Sequence, residues 1–522
     1  MDDDVDWGLK WIVRGASFMI VGTLLGKALT YLYRILVARY LGTADYGQLS
    51  LALTVFYISM TFATVSTEAG VKRFVSKYLG REEPGKIAGT IRSALTLSVP
   101  LSLVTAVGLF VAAPAIASRG FGNPSLTLYI RVFSIAIPFQ GLYNVFSSVA
   151  AAYRRVEFLA VVDEVYKSAA TLVVTAALLL AGYGLMGAVL AQVFALASAS
   201  LIIVYLVESR LISILRQNTE GFRNHRAIIR YSAPLFMSGI IGQITGWTDT
   251  VMLGFFDTAS SVGVYNAALP TAKVLTVFGA LGSNLFPVVS ELYEKGEKER
   301  AVDITSVSVK WIFSATFPLM LIMVAFAGPV LKFLFTGAYL GGSVALAVLS
   351  VAFFTQTITS YAGAYIGVEE RTKLSFYNSV VTAGANVVLN WLLIPYFKEV
   401  GVASTGAGVA TAVSLALGSL LAVVEVYYLF DVQPYRIRRL LPPLAAAATA
   451  AGIMYALVNA VYDVTPVWVM APAFIGFIIL YAVFFLLFGG LEEEDIEMLK
   501  ALEDKTGREF PLLKSVIRKI AR

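Results

Sequence analysis

Two cations interrupt the first long apolar stretch of the chain. Lys27 and Arg34 lie seven residues apart in GTLLGKALTYLYRILVARYLG, and Thr30 and Tyr31 lie between them. A helix would place the two cations about 20° apart on one face and about 10 Å apart along its axis, with Thr30 and Tyr31 on the same stripe. A lysine and an arginine held in this way can bind a phosphate or diphosphate. The alternative is a fixed salt bridge to an acid on another helix.

Three further polar side chains are candidates for the same site. Glu68 ends the second apolar stretch; it either meets a cation such as Lys27 or caps a solvated helix edge. Arg131 lies toward the outer end of the fourth apolar stretch, where it would assist product release. Asn144 lies further along that stretch and either contacts sugar hydroxyls or bonds to a neighbouring helix.

A stripe of amides marks a later apolar stretch. Asn378, Thr382, Asn386 and Asn390 follow one another at intervals of four residues and therefore share one helix face. Such a stripe either hydrogen-bonds to neighbouring helices or faces a wet cavity. Asn386 and Asn390 are accordingly candidate cavity residues, with helix packing as the alternative.

Membrane-spanning helices must position these residues. The chain has 522 residues, of which 58% are hydrophobic and 14% charged, whereas soluble domains contain about 25% charged residues. Apolar segments of roughly 20 residues recur from end to end, long enough to cross a bilayer. The sequence predicts an all-α polytopic membrane protein with about fourteen spans. They are expected at residues 17–37, 48–68, 94–117, 128–150, 162–182, 185–207, 232–254, 263–289, 307–330, 342–364, 378–396, 402–430, 440–460 and 466–488.

The sequence offers little for metal or thiol chemistry. It contains no cysteine and a single histidine, His225, in a basic loop. Disulfides and cysteine-ligated metals are therefore excluded, and we expect no metal site, no cofactor and no catalytic residue. The N-terminal MDDDVDWGLK lacks the basic region of a signal peptide.

The distribution of charge predicts the orientation in the membrane. Of the 40 lysine and arginine residues, only Arg39, Arg119, Lys332 and Lys398 fall in the predicted outside loops. Because cytoplasmic loops carry most of the cations in membrane proteins, both termini are expected in the cytoplasm. This bias also accounts for the net charge of +6 without a nucleic-acid partner.

The two halves of the chain resemble each other at an offset of about 216 residues. LGTADYGQLSLAL (41–53) aligns with DTASSVGVYNAAL (257–269), which places Gly47 on Gly263. Six spans in each half give both copies the same orientation, which is typical of secondary transporters with a central site. The expected domains are an N-lobe (1–225), a C-lobe (226–432), two additional C-terminal spans (433–490) and a cytoplasmic amphipathic tail (491–522).

An acid occupies the second copy where the first copy has cations. Asp249, in TGWTDTVMLG, aligns with Tyr33 or Arg34. Three interpretations stay open for a gating or ion-coupling role: an ion pair with Arg34 between lobes, an ion pair with Lys273 within one lobe, or proton or cation binding at Asp249 itself. Coupling to Na⁺ or H⁺ is consistent with the third.

Three motifs carry a resemblance to a known family. RILVARYLGTADYG, then VGVYNAAL with LFPVVSELYEKGE, and NVVLNWLLIPYFKEVGVASTGAGVA occur in this order. Together they resemble the polysaccharide-transporter, O-antigen-flippase-like family of the multidrug/oligosaccharidyl-lipid/polysaccharide exporter superfamily. The first span is also similar to that of lipid II flippases, which carry functional arginines there. Lys27 falls on one such position, and Arg34 falls one residue from the second.

This resemblance implies a function and its partners. A family member would be a flippase rather than an enzyme, and it would move a polyprenyl-phosphate- or diphosphate-linked oligosaccharide from the cytoplasmic to the outer leaflet by alternating access. We expect a monomer in the cytoplasmic membrane, surrounded by its lipids. Two alternatives remain: a cation-coupled multidrug antiporter of the same superfamily, and a membrane enzyme of glycolipid metabolism. Cations in the first span disfavour the former, and no acidic external motif supports the latter.

Overall fold

The computed structural model describes residues 2–64, 67–214, 221–279, 282, 285–369, 371–461 and 469–492. Every regular element in these ranges is helical. Nine helices within them are long and apolar enough to cross a membrane, so the all-α polytopic prediction is confirmed. The number of fourteen spans stays a prediction. The amphipathic tail lies outside the described residues from residue 493 onward.

The chain divides between Gly263 and Val264 into two compact units; the lobe boundary expected after residue 225 stays a prediction. The helices that begin in the first unit are α1 (Asp2–Thr64), α2 (Thr67–Leu79), α3 (Pro84–Ala115), α4 (Leu126–Ser134), α5 (Ile137–Ala152), α6 (Val156–Leu159), α7 (Lys167–Leu180), α8 (Gly184–Arg210), α9 (His225–Phe256) and α10 (Ala259–Lys273). π-Helical segments follow α3 (Ile116–Gly120) and α6 (Ala160–Tyr166).

The second unit continues in the same all-helical manner. Its further helices are α11 (Leu285–Glu294), α12 (Lys298–Ala325), α13 (Ala327–Leu334), α14 (Ser343–Ile358), α15 (Tyr361–Val368), α16 (Thr372–Glu399), α17 (Ala403–Phe430), α18 (Ile437–Val461) and α19 (Met470–Leu487). Short 3₁₀ segments lie at Val274–Gly279 and Gly337–Gly342.

Gly42 breaks α1 into two segments. Its backbone has φ 79° and ψ −179°, a conformation that is essentially restricted to glycine. The Nη1 of Arg34 donates a hydrogen bond to the Tyr46 hydroxyl at 3.5 Å, although a straight helix would separate these residues by about 18 Å along its axis. The chain therefore reverses at Gly42, and α1 contains two antiparallel segments, 2–41 and 43–64.

Small residues let the first segment of α1 approach the π-helix and α7 closely. A Cβ atom added to Gly26 would lie 2.4 Å from the carbonyl oxygen of Glu164. One turn further, the hydroxyls of Thr30 and Ser168 are 3.1 Å apart. This packed stripe fixes the rotation of the segment, and Lys27 lies about 100° around the helix from Gly26.

The aligned glycines of the two repeats meet within the first unit. A Cβ atom added to Gly47 would lie 1.6 Å from the carbonyl oxygen of Ala259, and one added to Gly263 would lie 2.0 Å from that of Thr43. The Ser260 hydroxyl also donates a hydrogen bond to the Thr43 hydroxyl at 2.8 Å. The two contacts are reciprocal, because Thr43 and Gly47 each lie 216 residues before their counterparts. Backbone approaches backbone here, which only glycine allows.

The last two helices that the structure describes, α18 and α19, lie near α12. The Tyr481 hydroxyl of α19 donates a hydrogen bond to the Ser314 carbonyl oxygen at 2.7 Å. Glu492, just beyond α19, lies 3.0 Å from Arg439 of α18 and 3.8 Å from Lys310 of α12. Lys310 is 1% exposed. Its charge is thus held beside a carboxylate, as burial of a lysine requires.

Candidate functional site

The first segment of α1 presents a cationic face. Lys27 is exposed, and no hydrogen bond or ion pair joins it to another residue within the described ranges. Arg34 is half-buried and donates to the Tyr46 hydroxyl instead of a carboxylate. The alternative of a fixed salt bridge is therefore not found for either cation in the part of the chain that the structure describes.

The two other residues expected on this face have different surroundings. Thr30 is exposed, and its hydroxyl is within hydrogen-bonding distance of Ser168, so it lies at the edge where the face meets α7. Tyr31 is half-buried on the same segment. The structure thus brings Lys27, Thr30, Tyr31 and Arg34 together on one half of one helix, as their spacing predicts.

A stacked pair of aromatic rings lies on the next segment and on α9. The rings of Tyr57 and Trp247 are 5.3 Å apart at an interplanar angle of 11°, and the Trp247 Nε1 donates a hydrogen bond to the Gln243 Oε1 at 3.0 Å. Lys27 and Tyr57 are each 15 residues from Gly42. Because the two segments are antiparallel, both residues lie at a similar depth, about 22 Å from the turn.

A cavity of about 280 Å³ lies beside this stack, between the second segment of α1 and α9. Its wall is mainly apolar; Ile58 and Phe62 line it from α1, and Ile240, Trp247, Val251 and Met252 from α9. Sequence reasoning missed this cavity. The repeat offset was the available signal, because it aligns Gln243 with Lys27 and Trp247 with Tyr31.

Glu68 lies in the first turn of α2. Its Oε2 is buried and has no hydrogen-bond partner among the described residues. No ion pair in those ranges joins it to Lys27. Its assignment to the cavity stays a prediction.

Arg131 makes a hydrogen bond to α3, and Asn144 makes one within α5. The Arg131 Nε donates to the Phe110 carbonyl oxygen at 3.3 Å, and the guanidinium lies 4.8 Å from the centroid of the Phe110 ring. The Asn144 Oδ1 accepts a hydrogen bond from Gln140 at 2.6 Å. Roles in substrate contact or release stay predictions for both.

The amide stripe of α16 packs against α17. Asn386 and Asn390 are both buried; the Asn386 Nδ2 donates to the Thr411 hydroxyl at 3.2 Å, and the Asn390 Nδ2 donates to the Asn386 carbonyl oxygen at 2.9 Å. Asn378 donates to Glu425 at 2.7 Å. This geometry matches the packing alternative, so contact with sugar has no support at these two positions.

The two residues considered for gating or ion coupling are Asp249 and Lys273. Asp249 is 6% exposed within α9. The Lys273 Nζ lies 5.8 Å from the centroid of the Phe353 ring in the second unit. Within the described ranges, no group of three or more histidine, cysteine, aspartate and glutamate residues is arranged to hold a metal ion.

The fold is that of a known class of membrane transporters. A structure of the lipid II flippase MurJ in an inward closed conformation superposes with a TM-score of 0.73 at 15% identity, covering 90% of this chain and 98% of that one. An inward-facing multidrug resistance MATE family transporter of the MOP superfamily gives a TM-score of 0.63 at 16% identity, over 79% and 99% of the two chains. The chain therefore has the same helical fold as these two transporters.

Sequence comparison identifies the family within this class. The model described as "Polysaccharide biosynthesis protein" matches residues 12–293, more than half of the chain, and the chain belongs to this family. The MatE model matches residues 234–392.

Two archaeal relatives extend the comparison. The uncharacterized membrane protein MJ1068 of Methanocaldococcus jannaschii is 25% identical over 412 residues, 75% of this chain and 80% of that protein. The probable low-salt glycan biosynthesis flippase Agl15 of Haloferax volcanii is 27% identical over 202 residues, 38% of this chain and 42% of that protein.

Proposed function

We propose that the chain is a flippase that moves a polyprenyl-phosphate- or diphosphate-linked oligosaccharide from the cytoplasmic to the outer leaflet. Membership of the polysaccharide biosynthesis family and the name of the Haloferax volcanii relative Agl15 support this proposal. The observation that carries it is the exposed Lys27, placed in a membrane-spanning segment with no carboxylate partner among the described residues. A cation in that position needs an anion or a wet cavity.

Lys27 and Arg34 would bind an anionic headgroup in different ways. Lys27 acts as a flexible point charge, whereas the guanidinium of Arg34 can offer two parallel hydrogen bonds to phosphate oxygens. The hydrogen bond to Tyr46 holds Arg34 in place across the turn. Carrying the headgroup on this face avoids its exposure to hydrocarbon, which is prohibitive for an unpaired charge.

Transport requires the cationic face to open first to the cytoplasm and then to the outside. We assign the outer closure to the reciprocal contact of Gly47 and Gly263, which would separate when the face opens outward. Asp249, buried in α9, is the candidate for ion coupling or for gating together with Arg34 or Lys273. The termini are assigned to the cytoplasm by the charge bias of the loops, and the functional unit to a monomer in the cytoplasmic membrane.

A cation-coupled multidrug antiporter is the second candidate, and the match of the MatE model to residues 234–392 favours it. Lys27 and Arg34 oppose it, because two unit charges of like sign repel at short range in a low-dielectric site. Transport of an anionic lipid accounts for both cations, and we therefore rank it first.

Reconstituted liposomes provide the test. A fluorescent lipid-diphosphate glycan is placed in the membrane, and the rate at which it reaches the opposite leaflet is measured. We expect Lys27→Ala and Arg34→Ala each to lower this rate by about tenfold or more, equivalent to about 1.4 kcal/mol of lost stabilisation. Arg39→Ala is the matched control, since it removes a cation from the same segment but from another face. Equal rates for all four proteins would refute the site, and an inactive wild type would count against the function.

A further inference from the structure

The apolar cavity beside Trp247 occupies the second-copy counterpart of the cationic face. Gln243 and Trp247 align with Lys27 and Tyr31 at the offset of 216 residues. At these two positions the first copy presents a cation and a phenol, and the second copy presents an amide and an indole. An amphiphile with an anionic head and an apolar tail matches this difference between the copies.

The cavity also lies at a suitable depth for such a ligand. Tyr57, which stacks on Trp247, lies as far from Gly42 as Lys27 does. Ile58 and Phe62 extend the cavity wall up to five residues further along the second segment. Thr248, Val251 and Met252 extend the α9 wall in the opposite direction, so a hydrocarbon in this cavity is near the level of Lys27.

We propose that this cavity binds the first two isoprene units of the lipid carrier, those nearest the phosphate. The inference rests on the proposed function, since it assumes that Lys27 and Arg34 hold that phosphate. In a polyprenyl phosphate the hydrocarbon begins at the phosphate ester oxygen, whereas in a phospholipid a glycerol unit separates the phosphate from the acyl chains. Only the former places hydrocarbon directly beside its anionic head.

The size and lining of the cavity suit this occupant. The cavity volume of about 280 Å³ is many times the roughly 10–15 Å³ that one water molecule needs in the same measure, so a short hydrocarbon segment has room there. The wall of isoleucine, valine, methionine and aromatic side chains favours the burial of hydrocarbon, because apolar surface is thereby removed from water.

Quenching of tryptophan fluorescence tests the proposal directly, because Trp247 lines the cavity. The full chain is prepared with Trp247 as its sole tryptophan and the other five replaced by phenylalanine. The probe is a ten-carbon isoprenyl monophosphate with two bromine atoms at the end remote from the phosphate. We expect saturable quenching of Trp247. A second protein that retains only Trp391, a residue 60% exposed on α16, should show only a linear background.

Two cavity-filling variants and one control complete the design. Val251→Phe and Ile58→Phe narrow the cavity from opposite walls, and each should weaken the probe's apparent affinity by about tenfold or more. Val104→Phe is the control, since Val104 is 69% exposed on α3 and its replacement should change nothing. Using both walls keeps the test decisive if one variant fails to fold.

Three outcomes would overturn the inference. They are linear quenching of Trp247, an unchanged affinity in a folded cavity variant, and equally strong saturable quenching by a brominated phospholipid. Flipping assays on the same proteins separate the two proposals. Loss of transport in Lys27→Ala, together with unaltered probe binding in Val251→Phe, would refute the tail site and still support the flippase proposal. Saturable probe binding by a chain that moves no lipid-linked glycan would support the tail site and contradict the flippase proposal.

Discussion

The two copies of the repeat agree where Gly47 and Gly263 meet and differ along the helices that lead to this contact. There, Gly47 and Gly263 make the same contact in reverse. Along the helices, the first copy carries Lys27 and Arg34 where the second carries Gln243 and Thr250 at the offset of 216 residues. The shared feature is steric and the divergent one is chemical; under the proposed function, the shared contact serves closure and the cations of the first copy serve headgroup binding.

Charge reversal at Lys27 is the strongest test of the difference between the two copies. Lys27→Glu replaces attraction for an anionic headgroup by repulsion, so the flipping rate should fall by about a hundredfold, or about 2.7 kcal/mol. Arg39→Glu makes the same change in charge on another face and should retain most of the activity. Liposome flipping rates compare the two, and comparable losses would show that net charge matters more than the cationic face.

Alanine at the glycine contact tests the part that the copies share. Gly47→Ala and Gly263→Ala each place a Cβ atom against a backbone carbonyl, and each should lower the free energy of unfolding by about 3 kcal/mol through overpacking. Gly108→Ala is the matched control in α3, where a Cβ atom meets nothing within 4 Å. Thermal unfolding in detergent measures all three. Wild-type stability in both variants would contradict the reciprocal contact.

Gly42 has no equivalent glycine in the second copy, where Thr258 aligns with it. An alanine at Gly42 meets no neighbouring atom, so any loss must come from the positive φ. We expect Gly42→Ala to cost about 1–3 kcal/mol. Gly120→Ala has equal space without a positive φ and should be close to neutral. Equal unfolding midpoints for the two variants would show that α1 does not need this turn.

The smallest effect is expected at the amide that replaces Lys27 in the second copy. Gln243→Leu removes the hydrogen bond to the Trp247 indole and should cost about 1 kcal/mol. Trp247→Phe removes the same hydrogen bond by removing its donor. A double-mutant cycle on unfolding free energies isolates the interaction energy between Gln243 and Trp247, because the effects of substitutions at residues in contact are not additive. Strict additivity would mean that this bond contributes nothing.

Much of the architecture was predictable from the sequence. Apolar segments of sufficient length indicate spanning helices, and the offset between the two halves aligns Gly47 with Gly263 on the amino-acid pattern alone. The cationic face followed from helical periodicity, since Lys27 and Arg34 need only one intact helix to share a side.

The surroundings of the other polar residues could not be predicted in this way. Periodicity shows that Asn386 and Asn390 share a face, but it does not say that α17 covers that face. The cavity beside Trp247 depends on how α9 approaches the second segment of α1, which involves residues about 190 positions apart. Such long-range packing leaves no local pattern, so only the repeat hinted at these side chains.

The ion pairs beyond α19 set a limit on how the gene can be shortened. Glu492 lies five residues after α19 ends, yet Arg439 and the deeply buried Lys310 share its carboxylate. A stop codon placed directly after Leu487 would leave α1 to α19 encoded and still remove that carboxylate, whose loss beside a buried cation costs about 3–5 kcal/mol. Expression plasmids designed from helix boundaries alone would therefore yield unstable protein, and affinity tags belong after Glu492.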